Sequence, residues 1–346
     1  MLALLGLLAA SAGAGEREAG PDPPSLAEVE KRMLDARRKI RRGVLRFSCT
    51  TKEKGEAARM VEYAAWFDLD ADKCRIDRIQ AGAGGSSRRQ IQCRNCETAG
   101  YGVDYHDLRT EKGASVLTLA PLGQLTDLSL FDARLLGFVA AVPSQYRHCH
   151  LESLLASPDR VKPEVRRDSH DGAPCLVVSF TMRNGNRVEV WGDPAQGDSV
   201  VRIVLENTRK EGPFRVIVEN KVKLDESSGV WFPDISTYAY TQNGEVMETV
   251  TAKVVSARLN VPTDDTVFTL AGMDLRKGLV IRRLHEDGKD SPFTWTGESM
   301  EKWKRPEYTI PPMSAAPSRA WLYWTAGGLG AAAVLALVLY FRRRPA

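Results

Sequence analysis

The chain has 346 residues, 43% of them hydrophobic and 27% charged, with a formal net charge of +4. That apolar fraction excludes disorder throughout, and charges recurring through the middle of the chain exclude a polytopic membrane protein. The balance of 48 basic against 44 acidic residues is too even for a nucleic-acid-binding face, and 5 histidines do not suggest a His-rich metal site.

In chain order, the apolar run LALLGLLAA at residues 2–10 is too short to span a bilayer, which takes about 20 residues. With the small residues that follow, it reads as a secretory signal over 1–14, although no Lys or Arg precedes it. A linker over 15–25 contains Pro21, Pro23 and Pro24. Ser25 then caps an expected helix, SLAEVEKRMLDARRKI, with Glu28 three residues on as a capping box. Its apolar face carries Leu26, Val29, Met33 and Leu34.

From Gly43 the period changes to two. Val61, Tyr63, Ala65, Phe67 and Leu69 alternate with more polar residues, as in a half-buried strand. Further strands are expected near 74–80 and 89–93. A helical island follows at 127–141, DLSLFDARLLGFVAA. Within it Phe131, Leu135, Leu136 and Phe138 could face a ligand cavity, or could be plain core. A short helix is expected near His150–Ala156. Asn184-Gly185 and Asn243-Gly244 then each separate two strand-like runs, as tight hairpin turns do. Runs at 200–206 and 214–224 complete a meander of about seven strands.

The last part of the chain turns polar and Pro-containing, and is expected to be a tether over 284–318. Trp321 to Phe341 is a stretch of 21 residues without a charge, flanked by aromatics and followed by three arginines. It is expected to be a transmembrane helix over 319–341, with a cytoplasmic tail at 342–346 and the large domain outside the cytoplasm.

Chemistry-bearing motifs are sparse. Six cysteines in an exported chain suggest disulfides. Cys93 and Cys96 form a CxxC with three readings: a structural disulfide, a redox pair, or half of a zinc site with His148 and His150. The redox reading requires a helix N-terminus beside a parallel βαβ unit. There is no GxSxG, Walker loop or HExxH, so no catalytic residue, cofactor or metal is assigned.

Three phrases carry a family resemblance: Phe131-Asp132-Ala133-Arg134-Leu135-Leu136-Gly137, Gly229-Val230-Trp231-Phe232-Pro233, and Val267-Phe268-Thr269-Leu270. They are similar to exported proteins of planctomycete-type bacteria in the lipoprotein-carrier superfamily of LolA, LolB and RseB. The resemblance covers residues 26–283. It implies a mainly β, α+β fold: a curved antiparallel half-barrel of about ten strands with helices on the concave side, to which this chain adds the C-terminal transmembrane helix. It also implies a membrane-anchored, periplasmic, non-enzymatic protein that binds a lipid, acyl chain or lipidated partner. The alternative is an envelope sensor similar to RseB that acts through a membrane partner; a thiol oxidoreductase is a further alternative.

Overall fold

The computed structural model describes residues 24–81, 87–96, 101–108, 115–124, 133–137, 151–207 and 212–302. Ser25 opens helix α1 (Leu26–Arg38): its side chain accepts a hydrogen bond from the Glu28 backbone N–H, and Arg37 and Arg38 stand in the last turn. Val29, Met33 and Arg37, four residues apart, form its buried face. Six strands follow: β1 (Arg42–Glu53), β2 (Arg59–Asp68), β3 (Lys73–Ala81), β4 (Ser87–Arg94), β5 (Tyr101–Leu108) and β6 (Val116–Pro121). Then comes the short helix α2 (Leu151–Leu155). The meander continues as β7 (Arg160–His170), β8 (Ala173–Met182), β9 (Arg187–Asp193), β10 (Ser199–Asn207), β11 (Phe214–Asp225), β12 (Val230–Gln242) and β13 (Glu245–Leu259). The last strands are β14 (Val280–Leu284), β15 (Asp290–Trp295) and β16 (Met300–Lys302).

All 16 strands form one open sheet, ordered β16-β15-β14-β6-β5-β4-β3-β2-β1-β13-β12-β11-β10-β9-β8-β7. Every pairing is antiparallel except β14 with β6. In the β12–β13 hairpin, Asn243 and Gly244 have φ of 52° and 81°, the left-handed pair that a tight hairpin turn requires. The edge strand β7 carries Pro163 and an irregularity between Val161 and Glu164, both of which discourage pairing with another chain.

The sheet curls around α1. A 13-residue helix is about 20 Å long, whereas the eight strands from β7 to β1, laid flat, would hold their outer two about 34 Å apart. Yet Glu30 pairs with Arg160 at the start of β7, and α1 runs directly into β1. The α1 side is therefore the concave face. It holds the main core, with residues from α1, α2, β1 to β3 and β8 to β13.

A second core lies on the opposite face of β2 to β6 and β14. There Ile91, Cys93, Val103, Tyr105, Leu117, Leu119 and Ile281 pack under Phe268, Leu270, Met273 and Leu279. The covering segment is folded by two 3-10 turns, Asp265–Phe268 and Ala271–Met273. The close turn depends on Gly272, since a Cβ there would sit 2.0 Å from the Thr266 carbonyl oxygen. On the same outer face of β8 to β10, Trp191 packs with Cys175, Val177 and Val201. The guanidinium groups of Arg166 and Arg202 each lie 5.6 Å from its ring.

These findings correct several expectations. The sheet has 16 strands rather than about ten: thirteen run from β1 to β13 and β14, β15 and β16 extend it further, so that residues 290–302, expected within a tether, contain strand. The described residues include two α-helices. Of the helical island, only Ala133–Gly137 is described, and it opens as a 3-10 turn at Ala133–Leu135. The expected transmembrane helix and single-pass membrane placement are corrected too: among the described residues no helix is long and apolar enough to cross a membrane. Residues 1–14 and 319–346 lie outside the described residues.

Candidate functional site

The concave wall is built by alternation along β1 and β2. Leu45, Phe47 and Cys49 stand opposite Ala65, Tyr63 and Val61, and all six are buried. The Phe47 and Tyr63 rings stack at 4.9 Å with planes 8° apart. Withdrawal from water disfavours the charged forms of titratable groups here. Burial pushes the Tyr63 phenol up to about 12 and the Cys49 thiol up to about 12, so both are neutral at physiological pH.

The covering elements are short and held by polar contacts. From α1, Arg32 makes a two-pronged pair with Asp198 at 3.0 and 2.7 Å, and Arg38 pairs with Glu152 of α2. Leu151 and Leu155 of α2 are buried in the same core. The segment Ala133–Gly137 is pinned from two sides. Arg37 Nη1 donates to the Leu136 carbonyl at 3.1 Å, and Asn220 Nδ2 donates to the Gly137 carbonyl at 2.8 Å and to the Val200 carbonyl at 2.9 Å. Gly137 has φ of 86°, and a Cβ on it would meet Asn220 Oδ1 and Pro233 Cγ, each at 2.9 Å.

Of the cavity candidates, Leu136 is 2% exposed and belongs to the concave core. Leu135 lies in the 3-10 turn beside it. Phe131 and Phe138 lie outside the described residues.

The concave wall changes character at β3. Cys74 and Ile76 continue the apolar face, but the next residue on that face is Arg78, directly opposite Tyr63. Beyond it come Gln90, which faces Arg78 across β3–β4, and Gln92, which faces Asp104 across β4–β5. Gln90 Nε2 donates to Asp104 Oδ1 at 3.3 Å. Arg78 is half-buried, its Nε–H is shielded from solvent without a hydrogen-bond acceptor, and its positive charge acts on both Cys49 and Tyr63. The apolar alternation of β1 and β2 was legible in the sequence. The position of Arg78 was not, because its inward direction follows from the register with Tyr63.

The opposite face is closed differently. Arg75 and Asp77, 4% and 6% exposed at their side chains, pair at 2.7 Å, and Arg89 reaches the other Asp77 oxygen at 2.9 Å. Arg75 Nη1 also donates to the Val267 and Gly272 carbonyls at 2.8 and 2.7 Å. Its guanidinium lies 4.8 Å from the Trp66 ring. In sequence this network reads as the solvent side of a strand; the segment that buries it lies about 190 residues away. Cys93 and Cys96 form a disulfide in the same core, with Cα atoms 5.9 Å apart. They lie at the end of β4, and among the described residues no helix N-terminus or parallel βαβ unit stands beside them. Among the described residues, no group of three or more His, Cys, Asp or Glu is placed to hold a metal ion. His148 lies outside the described residues.

No family model matches the sequence, and no curated protein matches it. Among solved structures, the chain is similar to a LolA superfamily protein from Nitrosomonas europaea at 10% identity and a TM-score of 0.40, over 71% of this chain and 98% of that one. It is also similar to a domain described as an outer membrane lipoprotein-sorting protein, from Vibrio parahaemolyticus, at 11% identity and 0.39, over 70% and 96%. A third likeness is to the MucA/MucB complex structure of Pseudomonas aeruginosa, at 13% identity and 0.23, over 68% and 99%. At this level of likeness, function rests on the geometry of this chain.

Proposed function

We infer that the concave face is a binding site for a lipid, an acyl chain or a lipidated partner, and that the role is binding rather than catalysis. The observation that carries this reading is the contrast between wall and cover. The wall is a continuous apolar surface on paired strands, from Leu45 and Phe47 to Phe67 and Val218. Part of the cover is the short Ala133–Gly137 segment, whose Leu136 and Gly137 carbonyls accept hydrogen bonds from Arg37 and Asn220. The bond from the neutral Asn220 amide contributes about 0.5–1.5 kcal/mol and the one from the charged Arg37 about 1.5–3 kcal/mol, together less than a long buried alkyl chain gains at about 0.8 kcal/mol per methylene. A ligand can therefore displace this part of the cover without breaking the sheet.

The test is to purify the chain, extract it with organic solvent and analyse the extract by mass spectrometry. The delipidated protein is then titrated with tetradecanoate. Recovery of a stoichiometric lipid, or saturable binding, supports the reading. An empty extract together with no saturable binding rejects it.

A further inference from the structure

Arg78 stands on the concave face of β3, directly opposite Tyr63. Among the described residues it makes no ion pair, and its Nε–H is buried without an acceptor. Its neighbours across the strands are Tyr63 on one side and Gln90 on the other, and Cys49 is the other group its charge reaches. None of these supplies a negative charge, since the phenol and thiol are held in their neutral forms.

Among the described residues, the carboxylates of the same wall stand elsewhere. Asp104 is two strands away and accepts from Gln90. Glu53 and Glu248 face each other six residues along β1 from the row containing Arg78, Tyr63 and Phe47, about 20 Å distant at strand rise. A guanidinium offers five donors in a planar fork that matches a carboxylate or phosphate. Half-buried and, among the described residues, without such a partner, that of Arg78 is costly to leave unpaired. Immediately beside it runs the apolar surface of Tyr63, Phe47, Cys49 and Phe67.

We propose that Arg78 anchors the head group of the ligand. The ligand is then an anionic amphiphile whose carboxylate or phosphate pairs with the guanidinium while its alkyl chain lies along Phe47, Tyr63 and Phe67. This rests on the concave-site reading above and narrows it from apolar chains in general to those bearing a terminal anion.

The experiment compares tetradecanoate, tetradecyl phosphate and tetradecanol by calorimetry on the delipidated full chain at pH 7.4, each below its aggregation concentration. The three share a chain and differ in head group. Charge-assisted hydrogen bonds predict that one or both anions bind about tenfold or more tightly than the alcohol, and the stronger of the two identifies the head group. Arg78→Gln brings the anions down to the affinity of the alcohol measured on the same variant, while Arg78→Lys keeps part of the preference. Equal affinity for all three in the unmodified chain, or a preference that survives Arg78→Gln, overturns the head-group assignment and leaves the concave site standing. Failure of all three to bind overturns the concave-site reading and this inference with it. Should Arg78→Gln lose its folded circular dichroism, the head-group preference of the unmodified chain and its retention in Arg78→Lys decide.

Discussion

The two faces of the sheet are sealed by different chemistry. On the outer face of β2 to β6, a buried Arg75–Asp77–Arg89 network ties the sheet to the carbonyls of Val267, Gly272 and Met273, and a disulfide fixes the end of β4. On the concave face the wall is apolar, and its cover is attached by ion pairs of α1 with Asp198, Glu152 and Arg160 and by hydrogen bonds to the Leu136 and Gly137 carbonyls. Buried ion pairs tolerate no half-measures, because removing one member strands a charge in a low-dielectric site. Apolar contacts are non-directional, so another apolar surface can replace them. The outer seam is thus tied to the sheet by charge, whereas the concave wall presents apolar surface to its cover.

The largest effect is expected from breaking the outer seam. Asp77→Ala leaves Arg75 and Arg89 without their shared carboxylate, and should cost about 3–5 kcal/mol in urea denaturation. A loss below about 1 kcal/mol would show that the guanidinium groups find other acceptors, and that the seam is not held by charge.

Gly137→Ala tests the cover. The left-handed backbone and the two 2.9 Å contacts should cost about 1–3 kcal/mol. Because the change acts on the cover and not on the wall, binding of an alkyl ligand should persist or strengthen. Weaker binding would mean that the segment is part of the binding surface rather than its lid.

Replacing Cys93 and Cys96 together by Ser should cost about 2 kcal/mol, since the loop closed is only four residues. The measurement is the shift in denaturation midpoint, and tetradecanoate binding should be unaffected because the disulfide lies on the other face. Loss of binding would couple two faces that the geometry keeps apart.

The smallest effect at ordinary pH concerns Tyr63 and Cys49. Both folded-state pKa values are raised, from 10.0 and 9.0 to about 12, so the folded state holds these protons more tightly. Their contribution to stability is fully present below about pH 9 and is lost as pH climbs from there through about 12. Absorbance at 295 nm should show one tyrosine titrating well above the rest. Titration of every tyrosine near 10 would mean that the concave wall is open to water.

Much of the concave wall was readable in the sequence. The period-two run from Val61 to Phe67, the capped helix from Ser25 and the hairpin at Asn243-Gly244 are local signals, each set by alternation, capping or a positive φ within a few residues. The candidate site was legible only in part. Leu136 was singled out for its place on an apolar stripe, and it is buried in the concave core; Arg78 carried no local mark at all.

The number of strands in one sheet, the turning of β14 to β16 into a continuation of β6, and the burial of Arg75 and Asp77 beneath Arg89 and the covering segment were decided by tertiary structure. A strand's sequence states which residues share a face, but not which face is covered, nor by what. Asp77 and Arg78 are adjacent in the chain and point to opposite sides of the sheet. Only the register with Tyr63 and Ile91, and the return of residues 264–279 across the outer face, made the first a buried structural anion and the second a cation on the concave wall.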